Sequence, residues 1–123
     1  MPSLPQPPNG PDRRATPRLE VNGRIQGELE SLNLPVRVCD IGLGGFSVET
    51  TGRIEPGLHA VRFTHGPWSI SLSAWSRYCR PFSGTDGVLR HVTGFEYADA
   101  QSPDAQQMIT ALVERLTSEL LFE

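Results

Sequence analysis

The sequence predicts a mainly β fold followed by a single C-terminal α-helix. The close spacing of about six strands is typical of small sandwiches and barrels, and we favour a six-stranded antiparallel β-barrel. Segments in which apolar and polar residues alternate recur at close spacing up to about residue 98, separated by glycine- and proline-bearing turns. Beyond about residue 102 the apolar period changes to that of an amphipathic helix. We favour a closed barrel because closure leaves no exposed strand edge.

The 123 residues are enough for one domain preceded by a tail. Residues 1–12 hold five prolines and an Asn-Gly pair, so they offer almost nothing to bury and are expected to form a disordered arm. The domain is then expected over 13–123, with an arginine segment at 13–18, the barrel at about 19–98 and the helix at about 103–121.

Six strands are expected in chain order. The first covers 19–29 and is interrupted by a bend or bulge at Asn22-Gly23. The other five follow from alternating patterns at 34–41, 45–49, 58–64, 68–79 and 88–97. In the fifth strand, one face is expected to carry Trp68, Ile70, Leu72 and Ala74, and the same spacing extends to Ser76 and Tyr78.

The C-terminal helix has a clear start signal. Ser102 can cap its N-terminus, Pro103 suits the first helical position, and Asp104 favours the positive end of the helix dipole. Its apolar stripe consists of Met108, Ile109, Leu112, Leu116 and Leu120. The stripe is expected to cover one end or side of the barrel, or else to join two subunits, so the chain is either a monomer or a helix-mediated dimer.

Composition excludes several classes of function. The net charge of −3 and the pI near 5.6 argue against a general binder of DNA or RNA. No apolar run resembles a signal sequence or reaches the roughly 20 residues that a membrane-spanning helix needs. We therefore expect a soluble, cytoplasmic protein without membrane insertion.

Residues that could support catalysis or bind a metal are scattered through the chain. The histidines lack metal-ligand spacing, the two cysteines form no CxxC motif, and one pair of glutamates is expected to be solvated; these residues are His59, His65, His91, Cys39, Cys79, Glu28 and Glu30. We expect no enzyme activity, no metal, no cofactor and no disulfide.

Two short motifs remain. The segment RRATPR places Arg13, Arg14 and Arg18 close together, where their guanidiniums repel one another unless an anion binds them. The segment DIGLGGF places Asp40 before a glycine-rich loop, through which a backbone can approach a ligand closely. A carboxylate accepts from the N–H donors of a purine, while arginine donates to its O6 and N7 acceptors and to phosphates.

These motifs together resemble the signature of the PilZ domain, RxxxR followed by [D/N]xSxxG. Arg14-Ala15-Thr16-Pro17-Arg18 matches the first part, and Asp40-Ile41-Gly42-Leu43-Gly44-Gly45 matches the second at its Asp and its final Gly. The closing strand at 92–97 looks like the G-x-x-F-type strand of the family. The resemblance covers about residues 13–120 and departs from the pattern at Gly42, which stands where the family has serine.

The resemblance implies a PilZ-type β-barrel that binds the second messenger cyclic di-GMP. Arg14 and Arg18 are then expected on the phosphates and the guanine Hoogsteen edge, and Asp40 on another guanine. Arg13 resembles members that take up two intercalated ligand molecules, so a ligand dimer is expected.

The loop glycines Gly42 and Gly45 are expected to line the same site. Because a missing neutral hydrogen bond costs on the order of 1 kcal/mol, Gly42 is expected to weaken ligand binding without abolishing it. Restoring serine at this position is expected to tighten binding.

A receptor of this kind is expected to signal in trans to an unidentified protein partner, as motility and biofilm systems of the family do. The alternative is a degenerate PilZ-like module that binds proteins and no nucleotide. A third interpretation, an OB- or SH3-like barrel that binds single-stranded nucleic acid, is disfavoured by the negative net charge and by the lack of a clustered exposed aromatic platform.

Overall fold

The structure, a computed structural model, describes residues 17–98 and 102–121. Seven strands precede one helix in these segments, and a short 3-10 turn, Glu30–Leu32, follows the second strand. The elements are β1 Arg18–Glu20, β2 Gln26–Leu29, β3 Leu34–Gly42, β4 Gly45–Thr50, β5 Gly57–His65, β6 Trp68–Ser83, β7 Leu89–Tyr97 and α1 Pro103–Leu121.

Six of the strands close into an antiparallel barrel. They follow the order β3, β2, β5, β6, β7, β4, and β4 pairs back onto β3. The seventh strand, β1, lies outside this ring and pairs antiparallel with the end of β3. The predicted barrel with a C-terminal helix is therefore confirmed, with one extra strand.

The extra strand arises because the first predicted strand is divided at its predicted bend. Asn22 and Gly23 have φ angles of 46° and 86°, in the left-handed region that ends a regular strand. The side chains of Val21 and Ile25 on either side are both buried in the core. The chain thus pairs with β3 twice, first through β1 and then through β2.

The barrel interior is filled by aromatic side chains around Phe46 at the start of β4. Its ring stacks on Phe95 at a centroid distance of 4.9 Å and meets Phe63 edge-on at 4.9 Å. Tyr97 lies 5.6 Å from the same ring. The core therefore anchors the part of β4 that directly follows the glycine-rich loop.

Two bulges change which side chains face outwards. The pairing of β3 with β4 shifts between Val38 and Asp40, and the pairing of β6 with β7 shifts between Ser76 and Tyr78. The sequence pattern extended the inward face of β6 to Tyr78, and this is wrong. The extra residue, Arg77, turns Tyr78 to the outer surface, where it is 37% exposed.

The C-terminal helix packs on the barrel with a stripe that differs slightly from the predicted one. Ser102 caps it, since the Ala105 N–H donates to the Ser102 hydroxyl over 3.4 Å. The buried residues of the stripe are Ala105, Ile109, Leu112 and Leu116, all part of the barrel core cluster. Met108, which was expected in the stripe, is exposed, and Ala105 takes its place in the buried row. The apolar stripe is therefore buried within the chain.

Candidate functional site

The second motif and the last arginine of the first motif meet where β1 pairs with β3. Arg18 lies opposite Gly42, and Glu20 lies opposite Asp40. The Arg18 guanidinium donates to the Asp40 carboxylate over 3.3 Å, and both side chains are largely buried, at 12% and 16% exposed. Shielding from water strengthens the attraction between the two charges, and the cost of desolvating them opposes this gain.

The Arg18 side chain packs directly against the two loop glycines, Gly42 and Gly45. A Cβ on Gly42 would come within 3.0 Å of Arg18 Cγ and within 2.5 Å of the Pro17 carbonyl oxygen. A Cβ on Gly45 would come within 2.9 Å of an Arg18 guanidinium nitrogen and would overlap the Phe95 carbonyl oxygen of β7. Both positions need glycine because backbone and arginine approach too closely for a side chain.

Two further residues complete the site. The Ser47 hydroxyl donates to the second Asp40 oxygen over 2.8 Å, so the carboxylate is held from two sides. The Tyr97 hydroxyl donates to the Gly42 carbonyl oxygen over 3.0 Å. Burial raises the pKa of Tyr97, as does the nearby Asp40 charge, while Arg18 opposes the shift, so this phenol stays a donor at neutral pH.

The structure brings together four of the six residues that the sequence nominated, namely Arg18, Asp40, Gly42 and Gly45. The other two, Arg13 and Arg14, lie outside the described residues, as does the N-terminal arm at 1–12. The sequence analysis missed Ser47 and Tyr97. Ser47 could have been found from the hairpin, because a two-residue connection between Gly42 and Gly45 brings Asp40 opposite Ser47.

Tyr97 carries no comparable local signal. It is 55 residues from Gly42 in the chain, and the two meet only through the closure of the barrel. Its backbone N–H also donates to the Gly44 carbonyl oxygen over 3.2 Å, which ties the loop to the end of β7. The glycine loop is therefore positioned by long-range contacts as well as by its own backbone.

An open cleft of about 890 Å³ lies elsewhere, along the outer side of β2, β3 and β5. Its arginines are already engaged: Arg62 pairs with Glu28 and Glu30, and Arg37 donates to the Asn22 carbonyl oxygen over 2.9 Å. Both guanidiniums of this cleft therefore already have acceptors, as the Arg18 guanidinium does in the motif site.

The candidate metal-binding residues do not gather into one cluster in the part of the chain that the structure describes. No group of three His, Cys, Asp or Glu side chains there could hold a metal ion, and Cys39 and Cys79 are both free thiols. Burial raises the pKa of the Cys39 thiol, helped by the nearby Glu49 carboxylate. Among the described residues, no helix is long and apolar enough to cross a bilayer.

No protein-family model and no curated protein matches this sequence. Solved structures do match. The PilZ domain of YcgR from Escherichia coli, determined with c-di-GMP, is 18% identical, with a TM-score of 0.69 over 88% of this chain and 94% of that one. The MrkH–c-di-GMP complex of K. pneumoniae is 14% identical, with a TM-score of 0.71 over 88% of this chain and 54% of that one.

A third similar structure is MotI, the inhibitor of motility of Bacillus subtilis. It is 18% identical, with a TM-score of 0.58 over 86% of this chain and 52% of that one. The chain thus spans about half the length of the MrkH and MotI structures. At these identities the likeness concerns the fold. The closed barrel, the flanking strand and the C-terminal helix give this chain a PilZ-like fold.

Proposed function

We propose that this chain is a cyclic di-GMP receptor domain and not a catalyst. The observation that carries the proposal is the cluster of Arg18, Asp40 and Ser47 at the glycine loop. It combines guanidinium donors with a carboxylate acceptor at one place on the barrel wall. The structures of YcgR and MrkH, which share the fold, contain c-di-GMP.

The ligand would replace the ion pair between Arg18 and Asp40 with two separate contacts. Asp40 would accept from the N–H donors of one guanine, and Arg18 would donate to a phosphate or to guanine O6 and N7. Arg14, and Arg13 beside it, would add further donors and allow a stacked ligand dimer. Their part rests on the motif, since both lie outside the described residues.

Ligand binding would then order the N-terminal arginine arm against the barrel. The backbone of β1 already lies on β3, so the arm has an anchor at Arg18 from which to close. The changed surface would be recognised in trans by a protein partner in the cytoplasm, in a pathway such as motility or biofilm control. A ligand has this effect only if it binds the closed arm better than the open one.

Titration calorimetry with cyclic di-GMP tests the proposal, and cyclic di-AMP serves as the matched ligand control. Adenine presents an N6 donor where guanine presents the O6 acceptor, so the adenine ligand should bind far more weakly. Arg18→Ala and Asp40→Ala should each weaken binding about tenfold or more. Arg53→Ala, which removes an exposed arginine paired with Glu55, is the matched protein control and should change little.

A second candidate, a PilZ-like module that binds a protein and no nucleotide, is favoured by two observations. Arg18 and Asp40 already satisfy each other, and Gly42 supplies no hydroxyl for a base. A folded protein that releases no heat with cyclic di-GMP would overturn the receptor proposal and favour this module.

A further inference from the structure

The long strand β6 continues past the strand that pairs with it on one side. β5 begins at Gly57, opposite Ser76, whereas β6 runs on to Ser83 and pairs there with β7 alone. The Gly57 N–H donates to the Ser76 hydroxyl over 2.9 Å, and this contact closes the end of the β5–β6 pairing. Within the described part of the chain, residues 77–83 therefore have a strand on one side and an unpaired edge on the other.

The loop at 51–56 lies next to this edge but does not pair with it. The Ser76 hydroxyl donates to the Glu55 carbonyl oxygen over 3.2 Å, which holds the loop beside the start of the edge. Among the described residues, no backbone hydrogen bond joins 51–56 to 77–83. Backbone groups at alternate positions of such an edge point away from the sheet and can pair with a further strand.

The tip of the β6–β7 hairpin lacks a third strand on either side. β4 ends at Thr50, opposite His91, so the hairpin beyond this pair extends past the barrel wall. Its side chains Phe82 and Leu89 are 37% and 58% exposed. A two-stranded ribbon is only marginally stable in water, and a third strand would cover part of this apolar surface.

A small pocket beside the edge lies between two arginines. Its volume is about 220 Å³, and its lining includes Ile54, Pro56 and Cys79 together with Arg53 and Arg77. Both guanidiniums form exposed ion pairs with neighbouring glutamates. Such surface pairs are weak, so another carboxylate can replace the glutamate. The pocket therefore suits an apolar side chain that has acidic neighbours.

The residues of the edge favour a different protein over a second copy of this chain. Arg80 is exposed in the middle of the edge. Antiparallel pairing of two copies about Arg80 would place two like charges opposite each other. Pairing about Pro81 would oppose two residues that have no N–H donor. A segment in which acidic and apolar residues alternate avoids both costs.

We propose that the free edge of β6 at 77–83 binds an extended acidic segment of a partner protein as an added β-strand. Main-chain hydrogen bonds would supply the affinity, and the pocket and the arginines would select the sequence. One apolar side chain of the segment would fill the pocket, and its carboxylates would lie near Arg53, Arg77 and Arg80. This inference goes beyond the proposed function, because the edge is free without any nucleotide.

The test uses the full chain and three short capped peptides as probes. In the first, glutamate alternates with valine and leucine; in the second, lysine replaces glutamate; the third is the first peptide with N-methyl groups at alternate residues. Fluorescence anisotropy should show binding of the first peptide at high micromolar concentration and binding about tenfold weaker for the lysine peptide. Bound peptide should slow amide hydrogen exchange within 77–83.

A pair of charge reversals tests the part played by the arginines. Arg80→Glu should weaken binding of the glutamate peptide about fivefold or more, because it puts a like charge beside the added strand. Arg115→Glu makes the same change of net charge on α1 and is the matched control, expected to stay within about twofold of wild type. Equal effects of the two variants would show that only the overall charge matters, which would overturn the proposed site.

The N-methylated peptide keeps every side chain but lacks half of the N–H donors. Binding as tight as that of the unmethylated peptide would overturn strand addition, and so would the absence of binding by the glutamate peptide at millimolar concentration. A chain that sediments as a dimer, and as a monomer after Phe82→Asp, would show that a second copy covers the edge. Cyclic di-GMP takes no part in these measurements, so their failure leaves the receptor proposal standing.

Discussion

The Pro17 carbonyl oxygen lies 2.5 Å from the position that a Cβ on Gly42 would occupy. Arg18 follows directly and lies opposite Gly42 in the pairing of β1 with β3. The residue that departs from the PilZ signature is therefore the residue that lets Pro17 and Arg18 pack closely on the barrel. A side chain at position 42 and the observed packing of β1 exclude each other.

Gly42→Ala should loosen β1. The new methyl group would push Pro17 and Arg18 away from β3, and overpacking of this kind costs about 1–3 kcal/mol. We expect the free energy of unfolding to fall by that amount in urea, with faster hydrogen exchange at Leu19 and Glu20. Gly52→Ala is the control, because no atom lies within 4 Å of a Cβ there. An unchanged stability would show that β1 does not pack as described.

Comparing Gly42→Ser with Gly42→Ala separates the effect of the serine hydroxyl on ligand binding from the effect of the added Cβ. The sequence led us to expect tighter cyclic di-GMP binding from this change, but the structure adds a steric cost that serine and alanine share. We therefore expect Gly42→Ser to bind about fivefold more tightly than Gly42→Ala, the effect of one neutral hydrogen bond. Equal affinities of the two variants would show that the hydroxyl does not contact the ligand.

Ser47→Ala should leave one oxygen of Asp40 without its hydroxyl donor. Hydrogen bonds to charged groups contribute about 1.5–3 kcal/mol, and Ser47 is almost fully buried. We expect a loss of stability near the lower end of this range, together with weaker ligand binding, both measured on the same protein. Ser71→Ala, at an exposed position of β6, is the control and should change neither property.

Tyr97→Phe should destabilise the glycine loop while sparing the core. The phenyl ring can still pack near Phe46, but the buried Gly42 carbonyl oxygen loses its hydroxyl donor. The expected cost is about 1–2 kcal/mol in urea unfolding. Tyr78→Phe removes the other tyrosine hydroxyl, which is exposed, and should cost much less. Equal losses in the two variants would contradict a special role for Tyr97.

The contact between α1 and β5 should stabilise the protein less as the pH becomes acidic. His65 lies 2.9 Å from Glu119 and, with Arg115, holds the pKa of the Glu119 carboxyl below its ordinary value of 4.5. A carboxyl whose folded pKa is depressed contributes stability above its unfolded pKa, and loses it as the pH falls through the folded pKa.

The difference in Tm between wild type and Glu119→Gln should therefore be fully present above about pH 5 and shrink as the pH falls below about 4. The effect should be small because Glu119 is partly exposed and its charge is screened by water. A difference that stays constant over this range would show that the carboxylate charge plays no part.

Local patterns were sufficient for most elements of the fold. Alternation and turn residues located the strands, and the Ser102 cap with its three- and four-residue apolar steps located the helix. Where the pattern failed in the barrel, the cause was a bulge. One extra residue at Arg77 reverses the side-chain direction, and hydrophobicity alone does not reveal it, so Tyr78 was placed on the wrong face.

The sequence by itself determined the motif residues of the site, because RxxxR and the loop from Asp40 to Gly45 lie within short segments, but it did not reveal Ser47 or Tyr97. Only the tertiary structure decided how they meet. The contacts of Asp40 with Arg18 and of Gly42 with Tyr97 join positions 22 and 55 residues apart, and strand pairing across a closed barrel sets them. The sequence likewise does not show which backbone segments approach each other closely. The structural requirement for glycine at position 42 follows only from the packing of β1 against β3.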